Sequence, residues 1–205
     1  MDRIHVNLKD GTKCWFTSDQ HFSHANILAF CNRPWVDIKQ MNEAIINNWN
    51  EVVGKDDVVF MLGDFSWNKD PMEIKRIFDR LQGGHIFVLF GNHDTMEQFN
   101  KVKSKRVDFI SDTAMIFISG IDEKKPSKEY EVMLSHFPLA TWPHFRRGTV
   151  NLHGHIHSGP RSKCDVDCPG FDLILKPGLT YDVGVDNNNY YPIEIREILT
   201  KLNKL

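Results

Sequence analysis

The chain has 205 residues, 25 Lys+Arg against 27 Asp+Glu for a formal charge of −2, 41% hydrophobic residues, ten His and four Cys. That is length for one substantial core and too little for two, and the near-even charge speaks against a nucleic-acid coat or a membrane-surface protein. Apolar runs such as 86–90 fall far short of the roughly 20 residues of a spanning helix, the opening Met1-Asp2-Arg3-Ile4-His5 lacks a secretion-type basic and apolar pair of regions, and four cysteines suit a reducing cytosol better than a disulfide scaffold, so a soluble cytoplasmic protein is expected.

Taken in chain order, residues 13–17 read as a strand, followed by a helical spacing at Ile38, Met41, Ile45, Trp49 and Val52. A second strand over 58–62 leads to another helical stretch at Ile74, Ile77, Phe78 and Leu81, which Asp70 as N-cap and Pro71 at the first helical position should start. Further strands are expected over 85–90, 114–118, 130–134, 150–152 and 171–175. The end of the chain reads two ways: strand-like alternation at Tyr191, Ile193 and Ile195 runs into a helical spacing at Ile195, Ile198, Leu199 and Leu202. The first half alternates strand and helix, and from about residue 107 strands and loops dominate. A sheet core wrapped by helices is the simplest layer solution, in a single domain over 1–205, since no repeat, low-complexity tract or long linker divides the chain.

The polar residues that follow the strands carry the functional signal. Asp19-Gln20-His21 follows the first strand, Gly63-Asp64 the second and Gly91-Asn92-His93-Asp94 the third, while later strands deliver His136 and His153-Gly154-His155-Ile156-His157. Ligands of open α/β sheets bind outside the carboxyl ends of strands, so these five ends can converge on one crevice. Imidazoles, carboxylates and one amide oxygen form a donor set suited to Mn, Fe or Zn. In Asp19-x-His21 and His155-x-His157, extended backbone would point both side chains to one side. The glycines before Asp64, Asn92 and His155 would allow tight turns and close approach.

Asp19-x-His21, Gly63-Asp64, Gly91-Asn92-His93-Asp94, His136 and Gly154-His155-x-His157 resemble, in order, the signature of the calcineurin-like metallophosphoesterases, over about two-thirds of the chain. The stretches Asp19-Gln20-His21-Phe22-Ser23-His24-Ala25-Asn26-Ile27 and Asn32-Arg33-Pro34-Trp35 are further similar to a group of small bacterial and phage members. The resemblance implies a four-layer α/β/β/α sandwich, two mixed sheets flanked by helices, with a two-metal site at the carboxyl ends of the strands. It also implies that one ion takes Asp19, His21, Asp64 and His157 and the other Asp64, Asn92, His136 and His155, with Asp64 bridging. Two divalent ions roughly 3.5–4 Å apart make a nucleophilic hydroxide of a bridging water and clamp the oxygens of an in-line displacement. His93, without a metal in that scheme, is expected to protonate the leaving oxygen, with Asp94 orienting it.

Other polar residues admit plainer readings. His5, His85 and His144 are taken as surface or structural residues, and His153 as a strand residue. His24, near a helix start, is expected to reach a substrate phosphate or to cap that helix, and Arg33 to pair bidentately with the phosphate; Arg146, Arg147 and Arg161 are read as solvated. Cys164 and Cys168 lack the further ligands of a structural zinc site, with Cys14 and Cys31 remote in sequence. The basic run Lys101, Lys103, Lys105, Arg106 lacks aromatic interleaving and reads as an exposed helix end or loop. The expected function is metal-dependent hydrolysis of a phosphodiester or phosphomonoester of a small, nucleotide-like substrate. The alternatives are a nuclease, which needs a continuous basic track, and a non-catalytic protein-binding scaffold, against which the presence of His93 counts.

Overall fold

The computed structural model describes residues 1–9, 11–110, 112–158 and 175–205. The strand expected over 171–175, Arg161 and the Cys164 and Cys168 pair lie outside the described residues, apart from Leu175, which sits in a bend. Ten strands form two mixed five-stranded sheets among the described residues. The first orders β1 (Asp2–Asn7), β6 (Thr113–Ser119), β7 (Tyr130–Ser135), β8 (Val150–His153) and β9 (Thr180–Asp182). The second orders β10 (Ile193–Glu194), β2 (Cys14–Thr17), β3 (Val58–Met61), β4 (His85–Leu89) and β5 (Val107–Ile110).

The two sheets face each other across a shared core in which Phe16, Phe60, Leu62 and Leu89 of one meet Ile116, Val132, Leu134 and Leu152 of the other. Because successive strand residues point to opposite faces, the intervening Trp15, Val59, Met61, Ile86 and Val88 turn outward. There they are covered by α1 (Ile27–Phe30), α2 (Ile38–Val52) and α3 (Pro71–Phe78). The helices start where cap chemistry puts them: Asp37 accepts from the Gln40 amide at 2.8 Å, and Asp70 from the Met72 amide at 2.9 Å with Pro71 following. Helix α2 buries Met41, Ile45, Ile46 and Trp49, the stripe its spacing predicts. On the outer face of the first sheet, Met115 and Met133 pack, among the described residues, against Trp142 and against Phe145 of the 3-10 helix Phe145–Arg147. The double-natured C-terminus is both things in turn. Ile193–Glu194 pairs antiparallel with β2, and α4 (Ile195–Lys201) then inserts Ile195, Ile198 and Leu199 into the shared core.

Strands β2, β3 and β4 run parallel and in register, Thr17 beside Met61 and Phe60 beside Phe87, so their carboxyl ends emerge level with one another. Strands β7 and β8 are also parallel, with Leu134 beside Leu152. Five strand ends from two sheets therefore open at the same edge of the sandwich, the arrangement that places the motif loops together. No described helix is long and apolar enough to cross a membrane.

Candidate functional site

Two groups of side chains gather at that edge. In one, Asp19, His21 and His157 bring candidate ligand atoms within 4.8 Å of one another; in the other, Asp64, His136 and His155 do the same. The Oδ2 of Asp64 joins them, 3.5 Å from His21 Nε2 and 3.4 Å from His136 Nε2. Asn92 enters beside the second group, its Oδ1 2.9 Å from His136 Nε2. Thus the seven residues Asp19, His21, Asp64, Asn92, His136, His155 and His157 share one crevice.

Bonds to surrounding groups turn the remaining donor atoms of these side chains toward the centre. His136 donates from Nδ1 to the Leu62 carbonyl at 2.8 Å, and His157 Nδ1 lies 2.7 Å from Asp186 Oδ2, which leaves Nε2 of each facing the centre. Asp19 accepts the His155 amide on Oδ2 at 3.0 Å, and Asp64 accepts the His93 amide on Oδ1 at 2.9 Å. Asp19 Oδ1 and His21 Nε2, both buried, have no hydrogen-bond partner, a condition native interiors rarely tolerate unless something else fills the gap. A divalent cation fits that gap: the donors are nitrogen and oxygen, they converge, and the orphaned atoms need an electron-pair acceptor.

The electrostatics agree. Burial pushes the Asp64 carboxyl up, but the bond and charge of His136 outweigh it and hold the group well below the usual carboxylate range. Burial disfavours a charged His136, yet its bond to Asp64 carries it to about 9, and contacts with Asp186 and Cys31 carry His157 to about 12 against the same penalty. The buried carboxylates thus draw positive charge into the crevice, which a metal ion would supply more strongly.

The local backbone is not the extended one expected for the two H/D-x-H pairs. Asp19, His21, His155 and His157 all adopt left-handed conformations, with φ of 60°, 51°, 72° and 46°, as does Asp64 at 54°. Each pair converges because tight turns aim the side chains inward. Such strain in non-glycine residues costs of order 1–3 kcal/mol each and collects at functional sites. Close approach requires all three motif glycines, a Cβ on Gly63 standing 2.4 Å from the Gly91 amide nitrogen. A Cβ on Gly91 would stand 2.2 Å from Asp64 Oδ1, and one on Gly154 would stand 2.1 Å from Ser18 Oγ and 2.4 Å from Asp19 Oδ2.

His93 sits at the rim with its side chain 35% exposed and Nε2 3.9 Å from Asp64 Oδ2. Three other expectations are corrected. Asp94 does not hold the His93 ring; its carboxylate accepts the amides of Asp64 at 2.6 Å, Gly91 at 3.0 Å and Phe65 at 3.1 Å, so it fixes the backbone that presents Asp64. Burial raises that carboxyl to about 6 despite these bonds. Arg33 does not face a substrate: its side chain is fully buried, with Nε and Nη2 on the two oxygens of Asp186 and the remaining protons on the carbonyls of Asp19 and Gln20 and on Met41 Sδ. His24 neither caps α1, whose N-cap is Asn26, nor lies open; it is buried beneath Trp67, with Nδ1 3.3 Å from His21 Nδ1.

Sequence reasoning passed over Asp182 and Asp186. Asp182 accepts from Ser158 Oγ at 2.6 Å and from the Ser158 and Gly184 amides, steadying the turn after His157. Asp186 ties His157 to Arg33, and although Cys31, His157 and Asp186 also approach within ligand distance, that carboxylate is engaged by the guanidinium. The signal was present, since Val183 and Val185 are a short apolar run delivering a carboxylate, but it is too brief to read as a strand. His5, His85 and His144 are surface residues paired with Glu129, Asp108 and Glu131, and His153 ends β8. Asp94→Ala is expected to lower stability by about 1–3 kcal/mol, because three loop amides lose their acceptor. Thermal unfolding checks this: a variant with unchanged melting temperature but lost turnover would return Asp94 to the His93 ring.

Comparison with known proteins agrees with the geometry. The chain is 29% identical to the uncharacterized protein MJ1445 of Methanocaldococcus jannaschii over 94% of this chain and 92% of that one. It is 30% identical to the Gene 66 protein of Mycobacterium phage L5 over 70% of this chain and 77% of that one. A crystal structure of a protein of unknown function from Aquifex aeolicus superposes with a TM-score of 0.64 at 26% identity, covering 93% of this chain and 99% of that one. The calcineurin-like phosphoesterase family model matches residues 12–177, a span that holds every residue of the two side-chain groups, and the chain belongs to that family.

Proposed function

We propose that the protein is a dimetal phosphoesterase that hydrolyses a phosphodiester or phosphomonoester of a small substrate. The observation that carries this reading is the meeting of two donor groups at Asp64 Oδ2, with Asp19 Oδ1 and His21 Nε2 buried and otherwise unpartnered. Asp19, His21, Asp64 and His157 would hold one divalent ion, and Asp64, Asn92, His136 and His155 the other. When bound, such ions supply Lewis acidity toward the phosphoryl oxygens and activate water as the nucleophile. The chain's own residues do the rest. Leu62, Asp186 and the His155 amide fix the orientation of His136, His157 and Asp19. His93 carries a proton at Nε2 beside Asp64 and delivers it to the leaving oxygen, a role its half-exposed ring is placed to reach. A cytoplasmic location belongs to the same reading, since four cysteines in 205 residues suit a reducing compartment better than a disulfide scaffold.

The test is metal content by plasma mass spectrometry, followed by hydrolysis of bis(p-nitrophenyl) phosphate and p-nitrophenyl phosphate before and after removal of metal with a chelator. The expected result is hydrolysis that the chelator abolishes and Mn restores. A protein that takes up no metal and cleaves neither ester is the protein-binding scaffold instead, and one that cleaves only DNA or RNA is a nuclease.

A further inference from the structure

Beside the metal-ligand groups stands an aromatic surface that the hydrolytic machinery does not use. Trp67 follows β3 by six residues, and its backbone is pinned by donation of its amide to the Phe22 carbonyl at 2.9 Å next to a Phe22–Ser66 bridge. The residue is 43% exposed, whereas Trp15, Trp49 and Trp142 are buried and Trp35 is half-buried. One indole face lies flat on the His24 ring, centroids 4.1 Å apart and planes 8° from parallel, and the His93 ring is 4.9 Å away. Lys69 adds a cation at the same rim, its Nζ 5.9 Å from the indole centroid and donating to the His93 carbonyl at 2.8 Å.

A single exposed aromatic residue is ordinary on a protein surface. Trp67 differs in three ways: its side chain is held by stacking on a buried partner, so little rotamer freedom remains to be lost; it presents a broad rigid π-surface; and it adjoins the imidazole assigned to the leaving oxygen. A planar ring seated on it belongs to the portion of substrate that departs with that oxygen. Resting on the phosphoesterase reading, the geometry points to a leaving group that is a nucleoside, with its base stacked on Trp67. The bond broken is then P–O to the nucleoside, water supplies the oxygen that phosphorus gains, and the nucleoside oxygen leaves with the proton from His93 Nε2. Stacking of a base on an aromatic side chain is sequence-tolerant, so purines and pyrimidines are both accepted, purines more tightly through their larger face.

Binding tests this apart from turnover. The Mn-reconstituted protein is titrated calorimetrically with the phosphonate isostere of adenosine 5′-monophosphate, in which CH2 replaces the scissile oxygen, and with the matching isostere of ribose 5-phosphate. Quenching of tryptophan fluorescence is read in parallel, since Trp67 is the most exposed of the five indoles. The adenosine compound is expected to bind about 5- to 100-fold more tightly, to quench, and to lose that advantage in Trp67→Ala while keeping most of it in Trp67→Phe. Equal affinity for the two compounds, including no binding of either, overturns the inference, as does an adenosine advantage that survives in Trp67→Ala. Hydrolysis of bis(p-nitrophenyl) phosphate by the unmodified protein reports on the phosphoesterase reading separately, so a protein that cleaves it while ignoring the base keeps its chemistry and loses the nucleoside.

Discussion

His93→Ala is expected to keep the metal content of the protein and its melting temperature while lowering kcat by about 10²- to 10⁴-fold, the usual worth of a positioned proton donor. Metal content is expected to hold because the connection of this residue to Asp64 Oδ1 runs through its backbone amide at 2.9 Å, which alanine retains, while its ring stands 3.9 Å from Asp64 Oδ2. The ring is hydrogen-bonded to no side chain among the described residues, so its removal leaves no buried group unpaired. What is lost is a proton for the leaving oxygen, and that loss depends on how much the leaving group needs one. A p-nitrophenolate departs readily without protonation, whereas the alkoxide of a sugar does not. The deficit should therefore be large on an alkyl phosphoester and much smaller on p-nitrophenyl phosphate. An equal deficit on both would assign His93 to stabilising charge in the transition state, and an unchanged rate on both would remove it from catalysis.

The division between what the sequence made legible and what it hid follows the range of the interactions involved. Strands β2, β3, β4, β7 and β8 were readable because each is a short apolar run with a polar residue at its end, and α2 and α3 because their stripes and caps are local. Strand β1 was not, since its alternating residues Asp2 to Asn7 lie at a sheet edge where polar side chains suffice, nor β5, whose apolar run Asp108 interrupts, nor β9, which is only three residues long. The residues gathered in the crevice share recognisable motifs, so their meeting was foreseen. Their supports were not. Arg33 and His24 stand in or beside motifs and are expected to contact substrate, and Asp94 to orient the His93 ring, but each is buried and committed to another partner: Asp186, the rings of His21 and Trp67, and loop amides respectively. Proximity to a motif in sequence does not reveal which way a side chain turns. The partner that decides it for Arg33 is 153 positions away.

That partnership supplies the second large effect. Arg33→Met should destabilise the protein by about 3–5 kcal/mol, the cost of removing one member of a buried ion pair. All five guanidinium protons are engaged, on both oxygens of Asp186, the Asp19 and Gln20 carbonyls and Met41 Sδ, and neither side chain of the pair is more than 2% exposed. Methionine fills part of the volume but leaves two carbonyls without donors and Asp186 with His157 as its remaining charged neighbour. Arg33, with His157, also holds the Asp186 carboxyl down at about 2 although burial would raise it. At roughly 2–4 °C per kcal/mol for a chain of this size, the melting temperature should fall by about 6–20 °C. Arg33→Lys should recover only part of this, because a point charge cannot satisfy a bidentate carboxylate and two carbonyls together. The Asp19 carbonyl and the Asp186–His157 contact both lead to the first metal-ligand group, so the variant should also bind Mn about 10- to 100-fold more weakly. An arginine that met substrate would behave oppositely, raising KM on removal while leaving the unfolding transition where it was.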